Sequence, residues 1–155
     1  MKGGAPNQIT IPADVYRQTV QHVRDLLPRE AVGLLAGSAE GHVELVVPLP
    51  NIASGDKRFI ADPLEQFLAF RRLKSEGLEL LALYHSHPDG GTDPSEEDLL
   101  YARQWRCAHI IVAASTETQS IKGFGAFRYL ATGVIEEVQV QLPRHKSIAQ
   151  SESVK

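Results

Sequence analysis

The chain has 155 residues, 43% of them apolar and 23% charged, with a formal net charge of -3 at pH 7. That length suits one domain with a substantial core, and the charge lacks the basic excess of a nucleic-acid binder. The longest apolar runs fall far short of the roughly 20 residues that a membrane-spanning helix needs. A single cysteine, Cys107, excludes an intrachain disulfide and a cysteine-rich zinc site, and it fits a reduced, cytoplasmic setting.

Met1–Gln8 carries Gly3, Gly4 and Pro6 but no apolar stretch, so it reads as a flexible lead-in and not as a secretory signal. Pro12 and Asp14 suit a helix start. Tyr16, Thr19, Val20, Val23, Leu26 and Leu27 then recur at helical spacing until Pro28. Ala31–Ala36 and Val43–Leu49 are short apolar runs joined by Gly37-Ser38-Ala39-Glu40-Gly41, which predicts a hairpin. Asn51–Lys57 is a polar loop. Asp62-Pro63-Leu64-Glu65 has the pattern of a helix entry, with Asp62 as N-cap. Leu64, Phe67, Leu68 and Phe70 supply that helix with apolar surface, and Gly77 stands where a C-terminal cap belongs.

Leu78–Tyr84 is apolar except for Glu79, as expected of a central strand buried on both faces. A glycine- and proline-rich loop, Pro88–Pro94, leads into a helix from Ser95 to about Trp105. His109–Ala114, Ile121–Leu130 and Val134–Leu142 read as three further strands, and the chain from Pro143 reads as a polar, disordered tail. The order predicts a single α/β (α+β) domain over residues 9–142, a mixed central sheet flanked by helices.

His85-Ser86-His87-Pro88 ends the central strand. Residues two apart on a strand share a face, so both imidazoles point the same way. Asp98, arriving from the next helix, completes a set of two nitrogens and one oxygen. Three such ligands leave a fourth tetrahedral position open for water, as in catalytic zinc sites. Ser95 and Asp98 also form the Ser-x-x-Asp pattern of a capping box. The two roles are compatible, because residues three apart share one helix face. Glu30 precedes the first hairpin strand, and its spacing alone reads as a solvated glutamate at a helix exit. Ser86 spaces the two histidines or bonds locally.

Glu30, then His85-Ser86-His87, seven residues, Ser95, two residues and Asp98 resemble the pattern of the JAMM (MPN+) metalloproteases. The segment Pro28–Gly37 is similar to that family's first strand, with Val32 where cysteine is common, and the likeness runs from about Ile9 to Leu142. The resemblance implies an MPN-like domain of cytidine-deaminase-like architecture. It implies one zinc per chain held by His85, His87 and Asp98, with Glu30 as general base and Ser95 donating a hydrogen bond to the oxyanion. It also implies a substrate, the C-terminal glycine tail of a ubiquitin-like protein. The compact chain is most similar to the small prokaryotic branch, which releases proteins or amino acids from ubiquitin-like sulfur carriers, including a cysteine added to a carrier thiocarboxylate.

Two other readings stay open at the level of sequence. Phage-tail peptidases of the same superfamily carry a similar His-Ser-His-Pro-Asp-Gly run and cut cell-wall peptides. Non-catalytic MPN scaffolds only bind partners, but they typically lack the ligands that this chain keeps. Hydrophobic positions do not separate a core from a dimer face, so a homodimer is compatible with the sequence. Arg144-His145-Lys146 reads as a solvated basic tail, and Asn51-Ile52-Ala53 resembles a family segment that approaches the cleft, so the resemblance implies the same for this loop.

Overall fold

A computed structural model describes residues 5–144. The elements run β1 (Gln8–Thr10), α1 (Ala13–Leu26), β2 (Val32–Gly37), β3 (Val43–Leu49), α2 (Pro63–Ser75), β4 (Glu79–Pro88), α3 (Glu96–Ala102), β5 (Ala108–Ala114), β6 (Ile121–Tyr129), β7 (Ile135–Glu137) and β8 (Gln139–Gln141). Six strands form one mixed sheet in the order β3-β2-β4-β5-β6-β7, and β1 pairs with β8 in a separate ribbon. Only the β4–β5 pair in the large sheet is parallel, and α3 makes the crossover between these two strands.

The sheet is buried on both faces. Val15, Tyr16, Val20 and Val23 of α1 pack on Leu35, Ala82, Tyr84, Ile110 and Val112. On the opposite face, Ala69 and Leu73 of α2 pack with Val32, Leu34, Ala36 and Leu83. Ala102 of α3 packs there with Ile111 and Phe127. Successive residues of β4 therefore feed different cores, which explains its unbroken apolar run. Tyr84 on the α1 face needs Gly33 beside it, because a Cβ at position 33 would fall 2.4 Å from the tyrosine ring.

The local signals take the forms that their chemistry dictates. The Asp62 side chain accepts the Leu64 and Glu65 amides, the bond of an N-cap. Gly77 has φ +68°, and the Gly77 and Leu78 amides donate to Lys74 O and Leu73 O, which closes α2 as a Schellman motif. The β2–β3 hairpin is antiparallel as expected.

Two expectations are corrected, and the buried face of one helix is settled by packing. The run Val134–Leu142 is two strands: Val138 is buried and its amide bonds Ala126 O, after which the chain leaves the large sheet to pair with β1. The partner strand lies at the other end of the sequence, so no local pattern marks the break. On α2, Leu64, Phe67 and Leu68 are exposed while Ala69 and Leu73 are buried. Apolar residues surround this helix, and only its docking on the sheet selects a face. The helix after Ser95 ends at Ala102 and is followed by a turn, in which Trp105 N bonds Ala102 O.

At the N-terminus the strand pairing begins at Gln8, and the carbonyls of Pro6 and Asn7 accept bonds from Arg128 and Gln139. Met1–Gly4 and the tail from His145 lie outside the described residues, and with them most of the basic Arg144–Lys146 stretch. Among the described residues no helix is long and apolar enough to cross a membrane.

Candidate metal centre

The β4 strand carries His85 and His87 on the α2/α3 face of the sheet, paired across β5 to Ile111 and Ala113. Their Nε2 atoms converge to 3.1 Å. Asp98, in the first turn of α3, places Oδ1 3.2 Å from His85 Nε2 and Oδ2 2.9 Å from His87 Nε2. Donors around a tetrahedral zinc at about 2.0–2.1 Å lie about 3.3 Å from one another, so this trio has close to the required spacing. The chemistry also fits, since neutral imidazoles and a carboxylate are typical zinc ligands.

His87 and Asp98 are oriented by further hydrogen bonds, and His85 by a ring contact. His87 Nδ1 lies 2.9 Å from the Gly91 carbonyl, which assigns the proton to Nδ1 and leaves the Nε2 lone pair for a metal. Phe59 stacks on the His85 ring at 4.5 Å. Ser95 and Asp98 form the full capping box: Asp98 N donates to Ser95 Oγ and Ser95 N to Asp98 Oδ2. One carboxylate thus starts a helix and faces two imidazoles. Burial alone would raise the Asp98 pKa, but the hydrogen bonds with His85 and His87 outweigh it and hold this group anionic far below the usual range.

Glu30 departs from the solvated role that its spacing suggests. It is 4% exposed, and its carboxylate joins His85 and His87 in a group whose donor atoms all lie within 4.8 Å of one another. Its backbone is held on two sides. Ser86 Oγ accepts the Ala31 amide at 2.8 Å, and Asn51 Nδ2 donates to the Glu30 carbonyl at 2.8 Å. Arg29 in turn ties the Asn51 and Ala53 carbonyls. Burial lifts the Glu30 pKa from 4.5 to about 7, with the His87 charge opposing that rise. Two carboxylates in one site are thereby driven to different protonation behaviour, Asp98 held anionic and Glu30 favouring its proton.

The centre opens into a cleft of about 670 Å³ lined by Phe59, Ile60, Glu97, Leu100 and Tyr101 among others. Arg58 reaches Glu97 at 3.3 Å and links the 52–60 loop to α3. All five residues singled out in the sequence meet here: Glu30, His87, Ser95 and Asp98 line the cleft, with His85 buried at its floor. Phe59 and the Gly91 carbonyl carry no recognisable spacing and emerge only from the fold, whereas Asn51 belongs to the loop that the family resemblance points to. His109 also emerges only from the fold: it is 2% exposed, stacks on Phe127 and is depressed by burial to about 4.

Residues 12–124 match the family of prokaryotic homologs of the JAB domain. The chain is 41% identical over 116 residues to a probable TtuB-protein conjugate cleaving protease of Thermus thermophilus, covering 71% of this chain and 76% of that one. It is 26% identical over 138 residues to the CysO-cysteine peptidase of Mycobacterium tuberculosis, covering 88% and 93% of the two chains. A protein from Desulfitobacterium hafniense, known from its solution structure, superposes with a TM-score of 0.74 at 31% identity, over 86% of this chain and 92% of that chain. With this match spanning both the sheet and the histidine–carboxylate centre, the chain belongs to the prokaryotic JAB/MPN (JAMM) family.

Proposed function

We propose that this protein is a JAMM-type zinc peptidase that hydrolyses the amide bond at the C-terminal tail of a ubiquitin-like or sulfur-carrier protein. The observation that carries the reading is the convergence of His85, His87 and Asp98 within 3.2 Å of one another beside the buried Glu30. Of the relatives named above, one is named as a probable protease that cleaves TtuB-protein conjugates and the other as a peptidase for CysO-cysteine.

His85, His87 and Asp98 would hold one zinc ion. Zinc supplies a Lewis acid that lowers the pKa of a bound water toward about 7. Glu30, with its pKa raised by burial, takes the proton from the attacking water and passes it to the leaving amine, a role typically worth about 10²–10⁴-fold. The Ser95 oxygen is engaged as acceptor by the Asp98 amide, so its O–H is free to donate to the oxyanion. Ser86 faces away from the cleft and holds Ala31, and Cys107 lies off the cleft lining, so neither is assigned as a nucleophile.

Two features favour a protein tail as substrate. β4 outruns β2: the β2 pairing stops at Val32–His85, whereas β5 follows β4 to Pro88. An extended tail can lie along the free side of His87–Pro88 as an added strand. Ile60 and Leu100 line the cleft while remaining 42% and 59% exposed. Phe67, 58% exposed, lines a shallower hollow that shares Tyr101 and Gln104 with the cleft. Such apolar ground suits the folded body of a ubiquitin-like partner.

The first test is the metal content of the wild type and a His87→Ala variant, followed by cleavage of a ubiquitin-like fusion by the wild type and Glu30→Gln. The expected result is about one zinc per chain, lost in His87→Ala, and activity lost in Glu30→Gln with zinc retained. A wild type that takes up no zinc in excess metal defeats the peptidase reading, as does full activity in Glu30→Gln.

A further inference from the structure

We propose that Gly125 is a positioning residue for the metal centre: its missing side chain lets Thr92 seat the 88–94 loop so that the Gly91 carbonyl orients His87. Gly125 lies in β6, far from the motif in sequence, but the registers place it on the same sheet face. His85 pairs with Ile111 and Ile111 with Gly125, while His87 pairs with Ala113 and Ala113 with Gly123. The loop crosses this row. A Cβ at position 125 would stand 2.7 Å from Thr92 Cβ, 3.0 Å from its Oγ1 and 3.1 Å from its carbonyl oxygen.

Gly125 has no left-handed backbone angle, so close approach is what requires glycine there. Carbon atoms in contact normally stand about 3.5–4.0 Å apart, and an added methyl would therefore push Thr92 outward by about 1 Å. The loop cannot slide to absorb this from its near end. The Asp89 carboxylate is clamped by Thr116 N at 2.9 Å and Thr116 Oγ1 at 2.6 Å, and Asp89 N bonds Ala114 O. Its far end is held by the Ser95–Asp98 capping box. The displacement falls on residues 90–94, where the Gly91 carbonyl meets His87 Nδ1 at 2.9 Å. A shift of about 1 Å breaks a bond of that length. Loss of such a partner behind a ligating histidine typically weakens metal affinity about 10–100-fold.

Gly123 is the built-in control. A Cβ there would lie 3.7 Å from Thr92 Cγ2, an ordinary contact. Alanine is better than glycine within a strand, so a role confined to strand stability would make both alanine variants neutral or favourable.

The inference rests on the metal-site reading of His87, and the test separates the two. Zinc affinity is measured by chelator competition for the wild type, Gly125→Ala, Gly123→Ala, Thr92→Gly and the Gly125→Ala/Thr92→Gly pair. The His87 ring ¹⁵N shifts are recorded on the zinc-free proteins. A wild type without zinc affinity would defeat the metal reading itself. With zinc bound by the wild type, the expected pattern is a loss of about tenfold or more in Gly125→Ala. Gly123→Ala should stay near the wild type, the double variant should return to the Thr92→Gly level, and the His87 Nδ1 shift should change in Gly125→Ala alone. The proposal is overturned if Gly125→Ala stays within twofold of the wild type or if Gly123→Ala is equally weakened. A double variant that stays weak, or that is unfolded like Gly125→Ala, overturns it as well.

Discussion

Replacing Ser86 with alanine tests how the fold holds Glu30. Ser86 is fully buried, and its side chain turns away from the two histidines that flank it. Its Oγ accepts the amide of Ala31, itself 0% exposed, at 2.8 Å. Alanine at position 86 leaves that amide without its acceptor in a place water does not reach. A buried donor left unpaired costs about 1–3 kcal/mol, and we take about 2 kcal/mol for so short and enclosed a bond. For a domain of this size, each kcal/mol lowers Tm by about 2–4 °C, so the expected fall is about 4–8 °C in zinc-free protein. Ala31 follows Glu30 directly, so kcat on a ubiquitin-like fusion should fall as well. Zinc affinity should hold, because β5 still pairs with both histidines. Thermal melts and kinetics on the one variant suffice, and a Tm within about 1 °C of the wild type would refute the argument.

Other outcomes follow from the same geometry. Glu30 is buried, and its pKa rises from 4.5 to about 7 on folding, so the folded state keeps this proton longer than the unfolded state. In zinc-free protein the contribution of Glu30 to stability should therefore fall as pH climbs from about 4.5 to 7, opposite in sign to that of His109, whose lowered pKa favours folding as pH rises through the same range. Above pH 7, Glu30→Gln should be the more stable chain by up to about 3 kcal/mol, with the two converging near pH 4; parallel urea curves at pH 4 and 8 that show no divergence would contradict the burial of this charge. Phe67→Ser should raise KM about tenfold for a folded ubiquitin-like fusion while leaving cleavage of a short tail peptide unchanged, and equal effects on both would dismiss the apolar docking ground. Zinc at about 100 times its Kd should add about 2.7 kcal/mol to stability, an increment that His87→Ala should lack.

The local pieces were legible in the chain because their causes are local. The period of α1, the Asp62 cap of α2, the Gly77 exit and the β2–β3 turn each depend on neighbours a few residues away. The His85-Ser86-His87 spacing likewise implies one shared face whatever surrounds it. The donors that meet at the centre were therefore visible as types and spacings, and the family resemblance ordered them into roles.

What tertiary structure decided is everything that rests on elements distant in sequence. Glu30 could be a solvated residue in any chain with its local sequence. It becomes a buried group with a raised pKa because β4 brings Ser86 against Ala31 and the Asn51 loop closes over its carbonyl. The exposed face of α2 and the split between β7 and β8 were settled by docking and by pairing with β1, across nearly the whole chain. No local pattern marks Gly125, and only the strand register and the path of the 88–94 loop bring Thr92 over it. Sequence by itself determines which chemical groups are available and how they repeat along the chain. Burial, convergence and close approach are properties of the space between elements, and those set the acidity of Glu30 and the aim of His87.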